Sequence, residues 1–206
     1  MPDFHTAQLL PSPYDSYAIA LAFGYLLGSI PFARMMNHLS HAEEVPESPD
    51  GKLRVLDLLA AGHRGLAAMA LAGDISKGLL AAALPSATWD IDMGILSAFG
   101  AFLGHLYPIF AKFRGGSGIA PYFGALLWFH PQSALIMGLV WLLTLLVTRY
   151  ATLASVVAVV LVPFSLIAFD QWPYIQLFGG LAALVIVRNI SNLYRLINGH
   201  EPKVTL

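Results

Sequence analysis

The feature that most constrains this chain is a series of apolar runs with charge confined to the joints between them. A bilayer core of ~30 Å requires roughly 20 consecutive apolar residues per helix. Runs bounded by charge or proline lie at about 17–36, 58–84 and 91–110, then at 119–129, 132–147, 153–169 and 174–187. Hydrophobic residues make up 57% of the 206 and charged residues 11%, against about 45–50% and about 25% in an ordinary soluble domain. Too little polar surface remains to cover a soluble globule. The pattern predicts an all-α membrane protein of about seven transmembrane helices, a single integral-membrane domain over 1–206, and excludes a soluble α/β enzyme, a disordered chain and a disulfide scaffold. A formal net charge of −1 argues against a nucleic-acid partner, which calls for a basic excess. With no cysteine in the chain, thiol nucleophiles, disulfides and cysteine metal sites are removed together.

The basic residues set an orientation, because cytoplasmic loops accumulate Lys and Arg. Arg34, Lys52, Arg54 and Arg64 flank the first loop, Lys112 and Arg114 sit in a Gly-rich loop, Arg149 follows the fifth run, and Arg188, Arg195 and Lys203 follow the last. Ten of the eleven basic residues thereby fall on one side. The first sixteen residues lack the Lys/Arg-rich start of a cleavable signal peptide and read as a tail. Seven segments then predict an outside N-terminus and a cytoplasmic C-terminus, with the acidic run Glu43–Asp50 as a solvated loop and 85–90 as a short outer turn.

Several short patterns carry chemistry. In GHLYPIFAKFRGGSG (Gly104 to Gly118) a run carrying His105 ends near Pro108, and Lys112 and Arg114 precede Gly115, Gly116 and Gly118. Glycine lets backbone N–H groups converge, and an adjoining helix N-terminus favours an anion. The stretch fits a phosphate-binding loop, and it equally fits a tight turn with positive-inside residues. Asp74 and Lys77, three apart on one run, can pair directly; ionisable groups inside a span are costly and point to function, although such a pair can also lock helices. Ser29 stands beside Pro31 at a kink. Arg188, Asn192 and Arg195 share one helical face near the C-terminus, and Arg149, Thr152 and Ser155 repeat that spacing at the start of the sixth run. Gly24 with Gly28, and Gly100 with Gly104, have the small-residue spacing of close helix pairs. The seven histidines show no paired metal spacing, so no metal is expected.

Taken in order, GYLLGSIPFA at Gly24 to Ala33, GDISKG at Gly73 to Gly78, GHLYPIFAKFRGGSG, TRYATLAS at Thr148 to Ser155 and RNISNLYRLINGHEPK at Arg188 to Lys203 resemble the bacterial integral-membrane acyl-phosphate:glycerol-3-phosphate acyltransferase family. The likeness runs from about Ala22 to Lys203. It implies a multi-pass protein of the bacterial inner membrane in which acyl phosphate donates its acyl group to the 1-hydroxyl of glycerol 3-phosphate. The product is lysophosphatidic acid, made in phospholipid biosynthesis without cofactor or metal. Carried over by position, the resemblance implies catalytic roles for Ser29, Ser117, Asn189 and Asn192. It implies substrate binding by His105, Lys112, Arg114, Gly115, Gly116, Gly118, Arg149, Thr152, Ser155 and Arg188, with Asp74 and Lys77 as a structural charge pair. Three positions depart from the family pattern. Nothing between Asn37 and His63 reproduces its GSGNPGATN-type segment, PDGKLRVLDLLAAG standing there instead; Ser117 replaces the lysine of GGKG; and Asn189 replaces a histidine. These departures keep a second reading open, a non-catalytic or substrate-altered relative that binds an anionic lipid or a partner at the same cleft. A small transporter is disfavoured by the scarcity of polar residues in the outer halves of the runs.

Overall fold

The computed structural model describes residues 13–39, 45 and 53–204. Among them it is helical without strands: α1 (Pro13–Gly28), α2 (Phe32–Leu39), α3 (Val55–Ala60), α4 (Arg64–Thr88), α5 (Ile91–Leu106), α6 (Ile119–Phe129), α7 (Pro131–Thr148), α8 (Ala151–Ala168), α9 (Trp172–Arg188) and α10 (Ile190–Ile197), with a 3-10 turn at Ile109–Ala111. The expected N-terminal tail as far as residue 12, most of the acidic loop and Lys52 lie outside the described residues.

Among the described residues, five helical stretches are long and apolar enough to cross a membrane, and a sixth forms if α9 and α10, bent by 57°, are taken together. The remaining apolar helix, α6, has 11 residues, and at 1.5 Å per residue its ~16 Å falls short of a bilayer core. The expected seven segments therefore correspond to five full-length spans, the bent α9–α10 pair and the short α6. Leu135, Leu139, Leu142, Leu143 and Leu146 are exposed along one side of α7, an outward face suited to lipid rather than water.

Three boundaries differ from the sequence expectation. The run at 17–36 is broken after Gly28 and resumes at Phe32, because Pro31 has no N–H to continue the ladder. The run at 58–84 divides into α3 and a longer α4 that carries Pro85 inside the helix. The expected 85–90 turn thus shrinks to its last residues. Pro85 is accommodated near the end of α4, where the Ser86 and Thr88 hydroxyls donate to the carbonyls of Ala82 and Leu84 at 2.7 and 2.8 Å. The third difference is the bend at Asn189, which puts Arg188 on α9 and Asn192 and Arg195 on α10, so these three do not share the single face their spacing suggested.

Close packing rests on glycine. A Cβ added at Gly24 or Gly28 would fall on the backbone of Ser97 or Ala101 in α5, and one at Gly100 or Gly104 on that of Leu21 or Tyr25 in α1. Gly78 and Gly124 set α4 against α6 in the same way, through the backbones of Pro121 and Ile75. A core of Phe102, Leu106, Tyr122, Leu126, Phe129 and Phe178 fills the space among α5, α6 and α9. Within it the Tyr122 and Phe178 rings meet edge-on at 5.1 Å, and the Tyr122 hydroxyl donates to the Phe178 carbonyl at 3.2 Å.

Candidate functional site

The sequence places its sparse charge at the helix ends, and the fold gathers much of it around one cavity of about 390 Å³. Arg34 of α2, Arg54 before α3 and Arg114 of the α5–α6 loop line it, together with Asp74, Lys77, His105, Gly115, Gly116, Ser117 and Ser155. Its other walls are apolar and include Phe32, Leu59, Leu71, Ile75, Phe123, Met137 and Trp141. The cavity therefore carries cations, hydroxyls and a glycine loop beside extended hydrocarbon surface.

The break between α1 and α2 explains the buried ion pair. Where the helix stops, the Ile30 carbonyl loses its intrahelical donor, and Lys77 Nζ donates to it at 3.0 Å while contacting Asp74 Oδ1 at 2.7 Å. Lys77 also sits 5.9 Å from the centre of the Phe32 ring. His105 Nδ1 stands 3.6 Å from the same Asp74 oxygen. One carboxylate thus gathers a lysine of its own helix and a histidine of α5, and the lysine ties both to the broken first segment.

The glycine loop is built on His105. Gly116 N–H donates to the His105 carbonyl at 3.1 Å, and a Cβ at Gly116 would run into the His105 ring. A Cβ at Gly115 would meet the backbone of His105 and Leu106. Gly118 adopts φ +89°, a conformation that favours glycine, and caps α6 above Phe102 and Leu106. From behind, Arg188 donates to the carbonyls of Gly115 at 3.3 Å and Gly116 at 3.5 Å and lies 5.5 Å from the Tyr107 ring centre. Ile119 and Ala120, the first residues of α6, line the cavity, so the unpaired N–H groups of a helix start and the positive end of its dipole lie at its wall.

The other expected site residues are distributed more widely. Ser29 is buried, and its hydroxyl donates to the Tyr25 carbonyl at 2.7 Å within the helix. Lys112 is exposed in a left-handed conformation, outside the cavity lining. Arg149 caps the end of α7, and its carbonyl accepts from Val204 N–H at 2.8 Å. Thr152 donates to Glu201 at 2.6 Å, and the other Glu201 oxygen accepts from Arg195 at 3.1 Å. Arg195 in turn donates to Asn192 at 2.7 Å. Asn189 is buried and donates to the Val185 carbonyl at 2.8 Å. This chain of bonds fastens the C-terminal segment to the start of α8, beside the cavity. The site residues read from the sequence do not include Arg34, and Arg54 enters there only as one source of the residual positive field. Arg54 caps α3 through Asp57, with guanidinium contacts of 3.2 Å, and the signal for both was their place among the one-sided cations.

At the opposite end of α7 a second polar cluster is self-contained. His130 Nδ1 contacts the Ser133 hydroxyl at 2.8 Å and accepts from Ser133 N–H at 3.2 Å, and the Ser165 hydroxyl reaches Ser133 at 2.8 Å. It caps α7 and ties it to α8.

Among the described residues no group of His, Asp and Glu is arranged to hold a metal ion. Residues 18–199 match the family described as glycerol-3-phosphate acyltransferase. The chain is 38% identical over 184 residues to the glycerol-3-phosphate acyltransferase of Rhizobium meliloti (strain 1021), covering 89% of this chain and 90% of that one. It is 37% identical over 186 residues to the protein of that name from Nitrobacter winogradskyi, covering 90% and 95%. Two crystal structures of PlsY (YgiH), an integral membrane glycerol 3-phosphate acyltransferase, are also similar, each at 28% identity. Its glycerol 3-phosphate form superposes with a TM-score of 0.83 over 92% of this chain and 96% of that one. Its lysophosphatidic acid form gives 0.81 over 91% and 95%.

Proposed function

Because the chain belongs to the glycerol-3-phosphate acyltransferase family, we propose that it transfers a fatty acyl group from acyl phosphate to the 1-hydroxyl of glycerol 3-phosphate, giving lysophosphatidic acid. The observation that carries this reading is the two-sided cavity, which sets Arg34, Arg54 and Arg114 beside apolar walls in one space. Both substrates are anionic, and one carries a hydrocarbon chain. In the reaction the hydroxyl oxygen attacks the acyl carbon, the bond from that carbon to the phosphate oxygen breaks, and the departing phosphate takes the proton. An acyl phosphate is already activated, so the protein's part is to hold two phosphates close and to stabilise the oxyanion.

Arg114, Arg54 and Arg34 supply the positive field, and the N–H groups at the start of α6 form the cradle, beside the Gly115–Gly116 loop whose Gly116 N–H is held by the His105 carbonyl. The Ser117 and Ser155 hydroxyls supply neutral hydrogen bonds where a stronger cation is absent at position 117. Arg188, bonded to the loop carbonyls, fixes the cradle's shape, and the Asp74–Lys77 pair fixes the broken first segment beside it. The one-sided basic residues support a site at the cytoplasmic face of a bacterial inner membrane, where both soluble and membrane-borne substrates can reach it.

The purified protein, given acyl phosphate and glycerol 3-phosphate, should release inorganic phosphate and form lysophosphatidic acid. Arg114→Gln should raise the half-saturating concentration of glycerol 3-phosphate about tenfold, the equivalent of one charge-assisted contact of roughly 1.4 kcal/mol. Ser117, uncharged on the cavity wall, also allows the non-catalytic reading. Binding of glycerol 3-phosphate without turnover would establish that reading and overturn the enzymatic one.

A further inference from the structure

We propose that Gly138 of α7 is a specificity-determining residue: its missing side chain leaves the depth into which the hydrocarbon chain of a single-chain phosphate ester or anhydride extends. The inference rests on the reading of this cavity as an acyl-phosphate site.

A glycine inside a helix costs about 0.5–1 kcal/mol relative to alanine, and what fills the vacated space differs from one position to the next. At Gly24, Gly28, Gly78, Gly100, Gly104 and Gly124 it is the backbone of a neighbouring helix, whereas Gly179 and Gly180 face open space away from the cavity. Gly138 is different. A Cβ there would meet only the edge of the Phe123 ring, at 3.5 and 3.8 Å, which is ordinary contact. No backbone approaches, and Gly138 instead lines the cavity. The vacated space is therefore open to whatever the cavity holds.

Position and chemistry identify that occupant. Met137, Gly138 and Trp141 lie on one side of α7, since residues three and four apart share a face, and all three line the cavity with Phe123 of α6. Trp141 is pinned across to α8 by its indole N–H, which donates to the Ser155 hydroxyl at 3.2 Å. The cavity also reaches Ala151 and Ser155 at the start of α8, just beyond the end of α7. The cavity joins the cationic residues Arg34, Arg54 and Arg114 to the apolar residues Phe123, Met137 and Trp141 beside Gly138. A ligand that fills both parts has one charged group and one extended chain. A glycerol phosphate alone has nothing to place beside Phe123 and Met137.

The test uses the full chain in nanodiscs, with binding followed by thermal stabilisation as saturated alkyl phosphates are added, one short (about eight carbons) and one long (about sixteen carbons). Each variant is compared with the unaltered protein at the same chain length, which cancels the difference in partition into lipid. Gly138→Leu should bind the short ester as the unaltered protein does and lose about tenfold or more in affinity for the long one. Gly138→Ala should fall between, and Gly180→Leu, at a position with open space around it, should change neither. Equal losses at both lengths, or no loss at the long one, would overturn the proposal. Should Gly138→Leu not fold, Gly138→Ala decides it, because its added carbon makes only an ordinary contact. An unaltered protein that binds long alkyl phosphates in this pattern but turns over no substrate removes the acyltransferase reading and leaves the role of Gly138 standing. An unaltered protein that binds no alkyl phosphate defeats the role of Gly138, whatever the turnover assay gives.

Discussion

In the seam between α1 and α5, Gly24 and Gly28 lie against the backbone of Ser97 and Ala101, whereas in the loop between α5 and α6, Gly115 and Gly116 fold over the backbone and ring of His105. The seam glycines are ordinary helical residues whose missing side chains let two helices touch. The loop glycines serve backbone shape, and Gly118 needs its φ of +89° to start α6. In lipid the first use replaces the hydrophobic driving force that holds helices together in water. The second folds the loop over His105 and presents its carbonyls to Arg188. The seam consequently tolerates no side chain at all, while the loop presses partly on the side chain of His105, which can shift.

Substitutions should separate the two uses. Gly28→Leu should have the largest effect, beyond the ~1–3 kcal/mol of ordinary overpacking, because the backbone of Ala101 cannot step aside without opening the seam. The expected result is loss of a monodisperse species in size-exclusion chromatography, and a folded, active variant would break the comparison. Lys77→Met should follow, at about 3–5 kcal/mol, since it leaves the buried Asp74 carboxylate without its closest counter-charge and the Ile30 carbonyl without its donor. Thermal unfolding in detergent measures it, and Asp74→Asn/Lys77→Met together should recover part of the loss. Gly116→Ala should be the mildest for stability, within about 1 kcal/mol, because the obstacle is a side chain. It should instead raise the half-saturating glycerol 3-phosphate concentration several-fold as the loop shifts. A melting temperature lowered as far as in Lys77→Met would place Gly116 with the seam glycines.

The two uses were legible to different degrees. Gly24/Gly28 and Gly100/Gly104 announce close helix approach by their spacing of four, and the structure pairs them with each other across one seam. The Gly115–Gly118 cluster left a phosphate loop and a tight turn equally open, because spacing says nothing about what lies beneath. The ring of His105 and the reach of Arg188 to the loop carbonyls are contacts between residues far apart in the chain. The same limit explains Arg34 and Arg54. Each reads as a topology signal, and only the packing of α2 and α3 against α4 brings them to the cavity. Conversely, Lys112 sits in the same loop as Arg114 yet lies outside the cavity lining, with left-handed backbone at both Lys112 and Phe113 between them.

By itself the sequence determined a membrane-embedded helical protein, the gathering of its positive charge at the ends of the apolar runs, and the segments between which a polar site had to lie. These follow from composition and period, and from the cost of burying an unpaired charge, all local to the chain. The tertiary structure decided which charges meet, that Lys77 completes the broken first segment, and that a glycine in α7 lines the cavity rather than meeting a neighbouring backbone. Those are properties of packing: a side chain's partner is fixed by which helix faces come together, and a sequence pattern specifies the face but not what it faces.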